Sequence, residues 1–150
     1  MKKIKLLFVI ESLALGGSEK ALIALLSNLN PQLYEIDLQL FRYGTDLQRY
    51  IPKHVNVCPP LPYTDFLEKK LGLKEQLKSS NIRYYFSRLK YSLILRLRKR
   101  NHNEKAKVFW ENVAQSFEYQ KKRYDVAIAF AQGLPTFFVQ DKINANKKVC

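Results

Sequence analysis

Two adjacent glycines, Gly16 and Gly17, stand where a short apolar run gives way to a stretch of helical periodicity. Glycine carries no Cβ to hold a ligand away from the backbone, and it tolerates φ > 0. A helix that starts there presents unpaired N–H groups and the positive end of its dipole. Such residues in such a place suit a phosphate or a diphosphate, with Ser18 as the expected N-cap. Leu22, rather than a glutamate, occupies the third position after Ser18, so there is no capping box. The pair is neither Gly-x-Gly-x-x-Gly nor a P-loop, and a tight turn in which the glycines serve geometry alone stays open. Gln132 and Gly133 form a second candidate, because they follow the apolar run Tyr124 to Phe130 at the end where open parallel sheets bind ligands.

Other chemistry is not legible. No Ser/His/Asp, Cys/His or metal-ligand grouping stands out, so no metal is expected and no catalytic residue is assigned. His54 precedes a short strand and His102 lies in a basic stretch, and both read as surface residues. Cys58 and Cys150 sit in apolar, strand-like settings and read as reduced core residues. Glu104, Glu111 and Glu118 recur every seven residues beside Lys107 and Lys122, the pattern of a solvated helical stripe.

The elements that would hold the glycines follow from periodicity. Ile4 to Ile10 is apolar and too short to cross a membrane, the signature of a buried central strand. Leu22, Leu25, Leu26 and Leu29, with Ala21 and Ala24 between them, space out a helix with one face on that sheet. Tyr34 to Phe41 alternates as a second strand. Thr45 to Ile51 suits a helical turn ended by Pro52, and Val55 to Cys58 a brief third strand. Pro59, Pro60 and Pro62 then stiffen an exit from the sheet. Tyr124 to Phe130 reads as a fourth strand buried on both faces, Phe137, Phe138, Val139 and Ile143 as a short helix, and Lys147 to Cys150 as a fifth strand just begun. A chain that stops inside a strand reads as a fragment.

A chain of 150 residues with 47% apolar content is one domain's worth of core. The formal charge of +13 calls for a polyanionic surface as partner, either nucleic acid or an anionic membrane. Most of the excess lies between Lys69 and Arg123, where no strand is expected. There Phe66, Leu67, Leu71 and Leu73 suggest one helix, Ile82 to Leu97 a second and Val108 to Tyr119 a third. In the second, Ile82, Phe86, Leu89, Leu93 and Leu97 share a face, Tyr84, Tyr91 and Leu95 form a smaller ridge opposite, and basic residues lie between. Such a helix is either sandwiched in the fold or partly immersed in an anionic membrane interface, with Arg96, Arg98, Lys99 and Arg100 as the membrane contacts. The short N-terminal run is followed at once by Glu11, so neither a signal peptide nor a membrane span is expected, and the protein should stay in the cytoplasm.

The strand ending Ile10-Glu11-Ser12, the loop Gly16-Gly17-Ser18-Glu19-Lys20 and the apolar helix behind it resemble the opening of glycosyltransferase family 4 enzymes of the GT-B fold, of the type that builds bacterial surface polysaccharides. The resemblance continues through Asn30 to Leu38 and returns at Tyr124 to Phe130 with Gly133-Leu134-Pro135-Thr136 behind, so it covers both ends of the chain and not its middle. It implies an α/β fold, a Rossmann-like open parallel sheet with flanking helices as in the N-terminal domain of a GT-B enzyme, to which charge and helical spacing add a basic helical insertion over about residues 66–123. It implies the acceptor-side half of an enzyme that moves a sugar from a nucleotide-diphosphate sugar to a lipid-linked or saccharide acceptor in capsule or lipopolysaccharide synthesis. The nucleotide-sugar is then a substrate, no cofactor is needed, and the partners are the acceptor and a C-terminal GT-B domain. The protein would be cytoplasmic or peripheral on the inner face of the cell membrane, and nucleic acid is not among its expected partners. Gly16, Gly17, Ser18, Gln132 and Gly133 would contact substrate or diphosphate. Two family features have no match: the donor-site glutamates have seven residues between them where six separate Glu104 from Glu111, and neither His54 nor His102 occupies the family's histidine position. This chain alone should therefore transfer no sugar. The alternative is a basic Rossmann-like binding module for nucleic acid or an anionic membrane.

Overall fold

A computed structural model describes residues 2–68, 82–97 and 102–150. The elements run β1 (Ile4–Ile10), α1 (Gly17–Asn28), β2 (Tyr34–Leu40), a 3-10 turn (Asp46–Tyr50), β3 (Val55–Val57), α2 (Pro62–Glu68), α3 (Ile82–Leu97), α4 (His102–Val113), a second 3-10 turn (Ala114–Ser116), β4 (Gln120–Ala129), α5 (Leu134–Lys142) and β5 (Ile143–Val149). The chain forms two compact units: Met1–Pro60 with Tyr119–Cys150, and Leu61–Glu118.

The first unit is a five-stranded sheet of order β3-β2-β1-β4-β5, parallel at every pairing and flanked by helices, a Rossmann-like α/β arrangement. The apolar run at the N-terminus becomes its central strand. β1 pairs along its whole length with β2, from Ile4 opposite Tyr34 to Ile10 opposite Leu40, and its middle pairs with β4, from Leu6 opposite Val126 to Val9 opposite Ala129. Side chains alternate across a strand, so Leu6, Phe8 and Ile10 join Ile36, Leu38 and Leu40 on one face, where Leu13, Leu22, Leu26 and Leu47 complete a core. Leu7 and Val9, on the other face, are equally buried, as a strand covered on both sides requires. α5 packs against β1, β4 and β5, and its Phe138 meets Phe41 edge-to-face at 5.3 Å.

Several expectations change. Leu25 is exposed, and Ile23 takes the position beside the core that the spacing gave to it. β2 ends at Leu40, and Phe41 is buried beyond it. β4 begins at Gln120, four residues earlier than the apolar run suggests, because Gln120-Lys121-Lys122-Arg123 extend the strand past the core into solvent. β4 is also wetter than expected, with Val126 and Ile128 only half-buried. Ile143 leaves the helix and opens β5, which runs the seven residues to Val149. Cys58 is half-buried and Cys150 exposed, so neither is a core residue.

The second unit is helical. Tyr63 of α2, Trp110 of α4 and Phe117 form its aromatic centre, with Phe117 5.1 Å from Tyr63 and 5.4 Å from Trp110. The third helix ends at Val113, not Tyr119, and a 3-10 turn brings Ser116 within 2.9 Å of Ser87 of α3. Leu71, Leu73, Arg98, Lys99 and Arg100 lie outside the described residues.

Candidate functional site

From β1 the chain proceeds to β2 and β3 on one side, while β4 and β5 lie on the other. The loops leaving β1 and β4 therefore depart from neighbouring strands in opposite directions, which opens a crevice at their carboxyl ends. The two candidate loops read from the sequence are these two.

The loop after β1 is tied down on one side and open on the other. The Glu11 carbonyl accepts the N–H groups of Phe41 at 3.1 Å and Arg42 at 2.9 Å, and Arg42 also meets the Glu11 carboxylate at 3.2 Å. Leu13 is buried in the core, its N–H donates to Thr45 Oγ1 at 3.1 Å, and its carbonyl accepts from Leu47 at 2.9 Å. Beyond it the chain turns outward, and Leu15 is 71% exposed. Gly16, not Ser18, is the N-cap, with extended backbone at φ −151°, and the first intrahelical bond runs from Lys20 to its carbonyl at 3.2 Å. Neither Gly16 nor Gly17 has a positive φ, so left-handed backbone is not why glycine stands there. Space differs between them. A Cβ on Gly16 would collide with the Glu19 carboxylate, whereas one on Gly17 would meet no atom within 4 Å. Ser18 lies inside the helix and donates to Glu19 Oε2 at 2.8 Å. Glu19 thus brings a negative charge to the positive end of α1, and an incoming diphosphate would have to displace that carboxylate.

The loop after β4 begins where Phe130 donates to the Val9 carbonyl at 2.8 Å and sets its ring 6.4 Å from Phe8. Gly133, the N-cap of α5, has φ 100° and ψ −131°, a conformation that does require glycine. Thr136 Oγ1 donates to the Ala131 carbonyl at 3.3 Å, bracing the loop. Beside it lies a cleft of about 330 Å³ lined by Ala129, Phe130, Ala131, Gln132, Thr136 and Cys150. Its walls are mostly apolar with a few polar groups, the usual make-up of a small-ligand site. Of the five substrate-contact candidates, Gln132 lines this cleft and Gly133 shapes the turn beside it, while Gly16, Gly17 and Ser18 stand on the loop from the adjacent strand.

No protein-family model matches the chain, and no curated protein or solved structure matches it.

Sequence reasoning missed a buried polar knot in the same unit. Asp37 is only 2% exposed, yet its Oδ2 accepts from the Tyr124 hydroxyl at 2.6 Å and from Lys122 Nζ at 2.7 Å, and its Oδ1 accepts from Asn56 at 2.9 Å. Lys122 also reaches Glu35 at 3.1 Å. Burial alone would raise the Asp37 pKa, but the bonds from Lys122, Tyr124 and Asn56 outweigh it and hold the carboxyl below its ordinary 3.8. Burial, then the bond to Asp37, pushes the Tyr124 phenol far up, so it stays a donor. Burial and the Asp37 charge raise the nearby Cys58 thiol to about 11. Every atom of the Asp37 carboxylate has a partner inside the protein, so the knot ties strands together and offers nothing to a ligand. In the sequence Asp37 is one of the polar positions of an alternating strand, which gives no sign that it is buried.

The remaining candidates lie elsewhere. Arg96 sits in the last turn of α3, and Arg98, Lys99 and Arg100 fall outside the described residues. Glu111 stands 4.0 Å from Lys107, with both side chains well exposed. His54 is exposed, with Nε2 3.1 Å from the Leu26 carbonyl, and His102 is the first residue of α4. Among the described residues no helix is long and apolar enough to cross a membrane.

Proposed function

We propose that the chain is the N-terminal, acceptor-side half of a GT-B glycosyltransferase, which moves a sugar from a nucleotide-diphosphate sugar to a lipid-linked or saccharide acceptor in cell-surface polysaccharide synthesis. The observation that supports this reading is the pairing of two ligand-type loops at one switch point: the glycine turn after β1, and the Gln132-Gly133 turn with its cleft after β4. Departure of a nucleoside diphosphate develops negative charge, which backbone N–H groups at a helix N-terminus can meet once Glu19 moves aside. Gly17 leaves room for that approach, and the cleft beside Gln132 would orient the acceptor. A C-terminal domain would supply the nucleotide site and the paired glutamates.

The test is to read and express the frame beyond codon 150. A second α/β domain carrying the paired glutamates, with transfer of labelled sugar to membrane or saccharide acceptors, is the expected result. In that enzyme Gly17→Val should suppress turnover with the fold intact, and near-normal turnover of the purified variant would remove the glycine turn from the site. A stop directly after position 150, with no transfer, would overturn the enzyme reading. The net charge of +13 supports the second reading, a basic binding module, which salt-sensitive binding to nucleic acid without any transfer would favour.

A further inference from the structure

We infer that α3 docks on an anionic lipid surface, lying along it and inserting a stripe made by Ile82, Phe86, Leu89 and Leu93. This goes beyond sugar transfer and does not rest on it.

Scattered exposed apolar residues need no explanation, but these four are not scattered. They are 41%, 57%, 43% and 50% exposed, and at about 100° per residue they fall within an arc of about 60°. The helix does have a packed side. It lies along α4, and Ser87 pairs with the buried Ser116 at 2.9 Å. A serine is therefore turned towards the neighbouring element while the apolar side chains face out, the reverse of what burial in this unit alone would select. Of the two arrangements that the sequence left open, the exposure of these four side chains argues against the sandwiched one for this face.

Charge says what covers the stripe. Between Glu75 and Glu104 the chain has no acidic residue, and α3 alone carries Arg83, Arg88, Lys90 and Arg96. The covering surface must be both anionic and apolar. A second copy of the chain would bring like charges face to face. Nucleic acid offers phosphates but no apolar phase for Ile82, Leu89 and Leu93. An acidic groove that takes up a helix encloses much of its circumference, and one side of α3 already packs on α4. A bilayer rich in anionic lipid meets both conditions with one flat surface. The 16 described residues of α3 span about 24 Å, less than the roughly 30 Å hydrocarbon core, and carry four basic residues, so that stretch suits the interface and not the bilayer interior.

The experiment is flotation of the whole chain with vesicles of phosphatidylglycerol and phosphatidylcholine, against pure phosphatidylcholine, at about 0.15 M salt. Binding to the mixed vesicles alone is expected. Leu89→Lys combined with Leu93→Lys separates insertion from simple attraction, because it adds positive charge while destroying the stripe. Insertion predicts a fall in partitioning of at least about tenfold, or about 1.4 kcal/mol. Trp110 emission and helicity should be unchanged, which shows the variant folded. In a second variant, Phe86→Trp should shift emission to the blue and become quenched by brominated lipid. Undiminished or stronger binding of the double lysine variant would overturn the inference, as would negligible binding of the parent to mixed vesicles. Concentration-dependent dimerisation lost in the double variant would instead give the stripe to a second copy, and preference for DNA over vesicles would give the basic helix to nucleic acid.

Discussion

At Gly133 the backbone is held at φ 100° and ψ −131°, where an L side chain is strained by about 1–3 kcal/mol. Gly133→Ala should lower the unfolding free energy by that order, seen as a lower urea midpoint with the slope unchanged. At Gly17 the reasoning runs the other way. Its φ is not positive and a Cβ would meet no atom within 4 Å, so Gly17→Ala should leave stability unchanged or raise it by up to about 1 kcal/mol through helix propensity. The same denaturation experiment reads both, and a large loss at Gly17 would contradict the open space seen there. Spacing in the sequence could put both glycines at strand-to-helix turns. It could not say which of them needs to be glycine, because φ is set by the path of the whole loop. For the same reason Ser18 looked like the cap, although the cap is Gly16, two residues earlier.

Across elements, the Asp37 knot joins β2 and β3 to β4, which lies on the other side of β1 in the sheet. Because the folded Asp37 pKa is depressed, its contribution is present above the unfolded value and is lost as the pH falls through the folded value, below about 4. For Lys122, burial acts to lower the pKa, but the bonds to Asp37 and Glu35 raise it above 10.5, so that contribution is present below 10.5 and lost as the pH rises beyond it. Lys122→Met should therefore cost on the order of 1 kcal/mol at neutral pH, since the Lys122 side chain is 43% exposed and its pairing is screened by solvent, and should move acid unfolding to higher pH, measured by circular dichroism against pH. An unchanged acid midpoint would mean that Tyr124 and Asn56 alone hold the carboxylate charged. The elements themselves were largely legible: β1, β3, the first 3-10 turn and the helix α3 follow from apolar spacing, which is local. What was not legible is non-local. The Tyr124–Asp37 bond joins residues 87 apart in the chain, and the polar start of β4 is strand only because β5 pairs with it from Gln120 onward. The alternation in β2 ordinarily marks one wet face, yet Asp37 and Gln39 are buried because a central parallel sheet is covered on both sides.

On the scale of the whole molecule, the sheet unit has the continuous core needed to fold as it stands: β1 is buried on both faces, and α1 and α5 supply Leu22, Leu26, Phe138 and Val139 to cover it. Under the proposed function, that unit holds one wall of a reaction site and not the other. A departing diphosphate is stabilised by donors aimed from both sides of a closed, water-poor cleft. The glycine turn offers one set, and Glu19 already occupies the vicinity of those donors. The cleft beside Gln132 is mostly apolar, and among its described lining residues there is no lysine or arginine to hold a diphosphate. The 150-residue chain should therefore bind nucleotide-sugars with a dissociation constant weaker than about 1 mM, equivalent to less than about 4 kcal/mol, and transfer no sugar. Glu19→Gln should tighten that weak binding, since it removes the competing charge at the helix N-terminus without emptying the position. Isothermal titration of the parent and the variant measures both. Micromolar binding by the parent would put the nucleotide site in this sheet rather than in a second domain, and equal binding by parent and variant would remove the N-terminus of α1 from the anion's path.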